Sequence, residues 1–259
     1  MQGFAAEDLA PVFRMLHASG WDAILVGGQA VNLWACRYER DALPWRELRP
    51  YTSRDLDYHG GLAEARQAMR ILHARGQLNS GSDPSPNAGV LVVSLPDGRT
   101  LLVDILTGVF GLSAAEVERT AVTWSGIGAL AGLQLWVIHP LLLAEGKAAA
   151  LRRLPQAGRQ DAKHLRILTL VLHEWLREQI SAPRVLFRAV ERLAATAASP
   201  DGLHAFGQGL DLMQAVPLED MRCVGGFAVF FQQRWPQLIG KIERKRERHL
   251  EALNDQADL

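Results

Sequence analysis

Two aspartates separated by a single leucine, Asp55-Leu56-Asp57, carry the clearest potential for chemistry in this sequence. On a β-strand alternate side chains point to one face. The two carboxylates would then sit side by side, with Leu56 turned to the core. Like charges held this close repel unless something positive lies between them. Magnesium fits that need, because it takes hard oxygen ligands, requires few protein carboxylates and completes its shell with substrate phosphates. Such a pair can hold two ions around a nucleoside triphosphate, one at the attacking hydroxyl and one at the leaving pyrophosphate. By itself, Asp-x-Asp is more often only a solvated strand end. Its weight here comes from three companions.

The first is Gly27-Gly28, between the apolar run Ala23-Ile-Leu-Val26 and a helical pattern. Glycines let a backbone approach a phosphate closely, and free N–H groups at a helix start favour anions; a tight strand-to-helix turn is the plain alternative. A dinucleotide site is disfavoured, because Gly-Gly-Gln-Ala lacks the G-x-G-x-x-G spacing. The second companion is Asp104, in Leu-Leu-Val-Asp-Ile-Leu. A charge inside an apolar strand is costly unless paired or metal-bound, so Asp104 is either a third carboxylate for the site or a strand-end residue facing water. The third is Lys147, in helical register with Leu143 and Leu151. A lysine on an apolar stripe wants an anion, such as a triphosphate, or else snorkels to the surface. Asp161, in register with Leu165, Leu168, Leu172 and Trp175, is either a functional carboxylate or a helix cap.

Positioning these residues requires a mixed α/β part followed by a helical part. The patterns predict helices over 6–18 and 62–74, with another following Gly28. Strands are predicted over 23–26, 55–58, 89–95, 100–106, 120–124 and 133–138. Pro96-Asp97-Gly98-Arg99 has the chemistry of a hairpin connection. Residues 37–53 and 79–88 read as loops. From Pro140 onward the pattern is helical: 140–154, 160–178, and further helices after Pro183, Asp201 and Pro236. The fold class expected is α+β, with a small mixed sheet over 1–138 backed by helices and an all-helical region over 139–259.

Composition narrows the function classes. The chain has 28 basic and 28 acidic side chains and no net charge, which argues against a globally basic nucleic-acid binder. Lys241 to Arg248 is locally basic and reads as a solvated helix face rather than an RNA contact. No apolar run approaches the roughly 18 residues of a membrane span, and the start lacks the pattern of a secretory signal. Two cysteines far apart, Cys36 and Cys223, form no zinc or disulfide framework. A cytoplasmic location is expected. The eight histidines are scattered; His59 alone lies close enough to Asp57 to face a site there, or else it is a polar strand-end residue.

Val26-Gly-Gly-Gln-Ala-Val-Asn-Leu-Trp34 followed by Tyr51-Thr-Ser-Arg-Asp-Leu-Asp57 resembles the start of a nucleotidyltransferase of the DNA polymerase β-like superfamily. Within it the chain is most similar to AbiEii-type proteins, the toxin components of abortive-infection and type IV toxin–antitoxin systems. The resemblance covers roughly residues 20–175. It implies transfer of a nucleoside monophosphate from a nucleoside triphosphate to a hydroxyl acceptor, with Mg²⁺ in a two-ion site. Asp55, Asp57 and Asp104 would be the metal-binding and catalytic residues. Gly27, Gly28, Ser53, Lys147, Arg159 and Asp161 would bind the nucleotide. The partners open to such a protein are an RNA acceptor such as transfer RNA, a protein acceptor, and an antitoxin; no membrane is implied.

The chain departs from that pattern in three places. Gly28 stands 27 residues before Asp55, a longer interval than usual, which makes residues 37–53 an insertion beside the pocket. Gly28 occupies a position where many transferases have serine. Gln160-Asp161 replaces a usual Lys-Asp pair. These departures are compatible with a second reading: a nucleotide-binding or partner-binding module that kept the fold and lost turnover.

Overall fold

The structure, a computed structural model, describes residues 3–79 and 85–257. The chain divides into two compact units, Met1–Leu143 and Ala144–Leu259. Part of the expected loop over 79–88, residues 80–84, lies outside the described residues. The expected fold class is observed: a mixed sheet with helices, followed by a helical region.

The first unit runs α1 (Ala10–Ala18), β1 (Ile24–Val26), α2 (Gly27–Tyr38), α3 (Leu43–Glu47), β2 (Asp55–His59), α4 (Leu62–Ile71), β3 (Arg75–Leu78), β4 (Asn87–Ser94), β5 (Thr100–Leu106), α5 (Ala114–Thr120), β6 (Val122–Ser125) and β7 (Gln134–Val137). Among the described residues the sheet has seven strands in the order β3-β4-β5-β2-β1-β7-β6. β2 lies parallel to β5 and β1 parallel to β7, and the remaining pairs are antiparallel. Strand alternation builds the core. Leu56 and Tyr58 of β2, Leu101, Val103 and Ile105 of β5, and Leu91 and Val93 of β4 are all buried. Trp21 meets Tyr58 edge-on with ring centroids 4.5 Å apart. The indole N–H of Trp34 donates to the Ile138 carbonyl at 3.0 Å, tying α2 to the end of β7. The β4–β5 turn closes through Gly98 N–H to Leu95 C=O at 3.0 Å, with Gly98 at φ +82° as an Asp-Gly turn demands.

Three elements differ from the pattern-based expectation. Residues 37–53 are not wholly loop: α3 forms within them, with Pro44 in its first turn and Trp45 buried, and the Tyr51 hydroxyl donates to the Trp45 carbonyl at 3.0 Å. A five-residue helix shows too little period to read. β3 was missed because Arg-Gly-Gln-Leu has neither apolar alternation nor β-branched residues. It forms as an edge strand where Gly76 lets the backbones approach, since a Cβ there would stand 2.2 Å from the Val90 carbonyl oxygen. α5 buries a single side chain, Val117, so it carries no apolar stripe.

α6 (Pro140–Arg153) contains the division between the units, which falls after Leu143 rather than at the expected 138/139 boundary. The second unit continues with α7 (Asp161–Glu178), α8 (Pro183–Ala197), α9 (Pro200–Gly207), α10 (Leu218–Cys223) and α11 (Trp235–Ala257). Its core joins Leu165, Leu168 and Leu172 of α7 with Leu186, Val190 and Leu193 of α8. Phe187 stacks on Phe230 at 4.8 Å and meets Phe227 edge-on. Ion pairs link its helices. Arg192 forks onto Glu145, and Asp201 receives both Arg152 and Arg153. Within the basic stretch of α11, Lys245 donates to the Ala198 carbonyl, and Arg246 binds Asp211 and lies over the Phe206 ring. Those two cations are therefore occupied within their own unit.

Candidate metal centre

The register of two neighbouring strands assembles the acidic cluster. β2 places Asp55 and Asp57 on one face, and the parallel β2–β5 pairing sets Asp104 directly beside Asp57. Carboxylate oxygens of Asp55, Asp57 and Asp104 all lie within 4.8 Å of one another, and all three residues are half-buried. At that separation each pair of full negative charges repels by roughly 3–4 kcal/mol in an effective dielectric of 20. Three hard oxygen donors converging from a rigid sheet are a fit for a divalent cation that prefers oxygen.

Each acid has its own local constraint. The Ser53 hydroxyl donates to Asp55 Oδ1 at 2.9 Å. Ser53 is itself buried, and its backbone pairs with Phe4 in an isolated antiparallel bridge. Its hydroxyl is the one that the resemblance would place at the nucleotide. Asp57 lies against the start of α2, because the β1–β2 pairing of Val26 with Asp57 brings the next residue, Gly27, onto its carboxylate. A negative charge at a helix N-terminus is favourable. Asp104 Oδ1 accepts from the Asn87 side-chain amide at 3.1 Å. Burial pushes the Asp104 carboxyl above the ordinary carboxylate range, the charge of Asp55 pushes the same way, and the Asn87 hydrogen bond partly offsets both.

Gly27 has φ +67°, and Gly28 is buried in the first turn of α2. Around them the polar interior of α2 is tied inward: the Gln29 amide donates to the Phe4 carbonyl at 2.9 Å, and Asn32 donates to Gln29 at 3.0 Å. His59 shares the strand face by alternation but is engaged elsewhere. Its Nδ1 lies 3.2 Å from the Leu106 carbonyl oxygen and its Nε2 3.2 Å from Glu118.

Lys147, Arg159 and Asp161 belong to the second unit and form a cluster of their own. Lys147 donates to Asp161 Oδ1 at 3.0 Å, and Arg159 donates to Oδ2 at 2.6 Å. The anion that Lys147 needs on its apolar stripe is thus Asp161. Asp161 is the first residue of α7, preceded by Gln160 at the cap position, and its carboxylate bonds these two cations. Burial would raise the Asp161 carboxyl, but the Arg159 hydrogen bond together with Lys147 outweighs it and holds it below the usual range. One turn on, His164 is buried and, among the described residues, neither ring nitrogen has a hydrogen-bond partner. Burial, reinforced by the positive charge of Lys147, pulls its pKa down to about 3.

The chain matches no protein-family model and no curated protein sequence. Two contacts in the site geometry, Asn87 with Asp104 and Ser53 with Asp55, are not legible in the sequence. Asn87 lies at the start of a strand whose register no pattern reveals, and Ser53 was assigned to the nucleotide rather than to Asp55. The only available signal was the Ser-x-Asp-x-Asp spacing, which places a hydroxyl on the same strand face as both acids.

Proposed function

We propose that the protein is a magnesium-dependent nucleotidyltransferase that moves a nucleoside monophosphate from a nucleoside triphosphate to a hydroxyl acceptor, RNA or protein. The observation that carries this reading is the convergence of Asp55, Asp57 and Asp104 from adjacent parallel strands, with a glycine helix start against Asp57. The resemblance to AbiEii-type nucleotidyltransferases supports it, and with it a toxin role paired with an antitoxin. Asp55, Asp57 and Asp104 would hold divalent ions, which when bound lower the charge on the triphosphate and activate the acceptor hydroxyl. The N–H groups in the first turn of α2 have no partner within the helix and favour phosphate oxygens. Gly27 lets the Asp57 carboxylate sit against the start of that turn, beside those N–H groups. Asp104 would take the proton of the acceptor hydroxyl as that oxygen bonds to the α-phosphorus and the bond to pyrophosphate breaks.

The test is incubation of the pure protein with each of four labelled triphosphates, Mg²⁺, and total RNA or protein. Label is expected to enter one acceptor class with the wild type and none with Asp57→Ala, whose fold is retained. Incorporation by Asp57→Ala would remove the mechanism. A second reading, a nucleotide-binding module without turnover, is favoured by two observations. Gly28 offers no hydroxyl, and the Lys147 ammonium is occupied by Asp161. Binding of a triphosphate without incorporation into any acceptor would select it.

A further inference from the structure

We infer that Asn87 is a positioning residue of the metal centre, holding the Asp104 carboxylate in the orientation that lets it share an ion with Asp55 and Asp57. This assignment rests on the metal-site reading above.

The argument begins with the β4–β5 register. Val90 pairs with Asp104 and Gly89 with Ile105, but Asn87, not Ala88, pairs with Leu106. A bulge therefore inserts one residue between Asn87 and Gly89. In an unbroken ladder Ala88 would occupy the face shared by Val90 and Asp104, and Asn87 would point the other way. The bulge exchanges them: Ala88 is buried, and the Asn87 side chain reaches Asp104. Bulges of this kind re-aim a single side chain.

The re-aimed group is held firmly. The Asn87 carbonyl accepts from the Asn79 side chain at 2.8 Å, and its N–H donates to the Ser85 hydroxyl at 3.2 Å. The Asn79 N–H also donates to the Ala88 carbonyl at 3.0 Å, pinning both sides of the bulge. Only the amide nitrogen of Asn87 can hydrogen-bond an ionised carboxylate, which has no proton to give. A donor fixed on Oδ1 stops the carboxylate from rotating and leaves Oδ2 as the oxygen without that bond. Ser53 serves Asp55 in the same way. Asp55 and Asp104 thus each carry a neutral donor, which orients them without neutralising the charge an ion requires.

The experiment is Mn²⁺ titration of the full chain at fixed pH, followed by the paramagnetic signal of the free ion. The proteins compared are wild type, Asp57→Ala, Asn87→Ala and Asn87→Leu. Asn87→Leu keeps the side-chain volume without the donor, so it separates orientation from packing. Melting in chelator reports folding independently. The expected result is about tenfold weaker Mn²⁺ binding in both Asn87 variants, with melting close to wild type. Unchanged Mn²⁺ affinity in Asn87→Leu, while Asp57→Ala loses binding, overturns the role of Asn87 and leaves the metal centre standing. No Mn²⁺ binding by the wild type overturns the metal centre itself, and this assignment with it.

Discussion

A Cβ placed on Gly27 would stand 1.8 Å from Oδ2 of Asp57. The carboxylate and the glycine occupy one space, and φ +67° at Gly27 adds a backbone conformation that L side chains resist. Gly27→Ala is expected to displace the Asp57 side chain and to cost about 1–2 kcal/mol from the left-handed backbone alone. The check is paired: chemical unfolding should show the lost stability, and Mn²⁺ titration should show lost affinity. A variant that binds the ion as the wild type does would mean Asp57 is not placed by this contact.

The three acids repel one another when no ion is bound. Asp104→Asn removes one charge while keeping the shape and an oxygen for Asn87 to contact. In chelator this variant should unfold at the same denaturant concentration as wild type or a higher one. With Mn²⁺ at ten times its Kd the wild type should gain about 1.4 kcal/mol, and Asp104→Asn should gain little. The informative quantity is the difference between the two responses, read from unfolding curves with and without the ion.

His164 provides a pH test in the second unit. Its pKa is about 3 when folded, against 6.5 for the free side chain. Below pH 6.5 the unfolded chain takes up a proton that the folded chain refuses, so stability falls as pH falls. The contribution is complete above pH 6.5 and is lost progressively toward pH 3, at about 1.4 kcal/mol per pH unit. Between pH 7.5 and 5.0 the wild type should therefore lose about 2 kcal/mol more than His164→Leu. Equal losses in the two proteins would show that the ring is hydrated or paired.

Asp161 joins two cations from a buried position, so removing it leaves the Lys147 ammonium without its anion. Asp161→Ala should cost about 3 kcal/mol. Lys147→Met should cost less, because Arg159 still satisfies the acid and the methionine suits the apolar stripe. Denaturant titration of both variants checks the order. The reverse order would identify Lys147, not Asp161, as the group whose isolation is expensive.

Much of this protein is legible in one dimension because its signals are local. The apolar run before Gly27, the i and i+2 spacing of Asp55 and Asp57, the Asp-Gly turn and the helical period after Pro140 all act within a few residues. They determined the fold class and put two acids on one strand face. What the tertiary structure alone decided depends on pairing between distant segments. The β2–β5 register sets Asp104 beside Asp57, and the β1–β2 register sets Gly27 against the same acid. One inserted residue in β4 turns Asn87 rather than Ala88 toward Asp104. The Lys147–Asp161 pair likewise depends on how α6 and α7 pack. Strand register follows from the packing of a whole face, and a shift of one residue reverses every side chain on it; no short stretch of sequence contains that information.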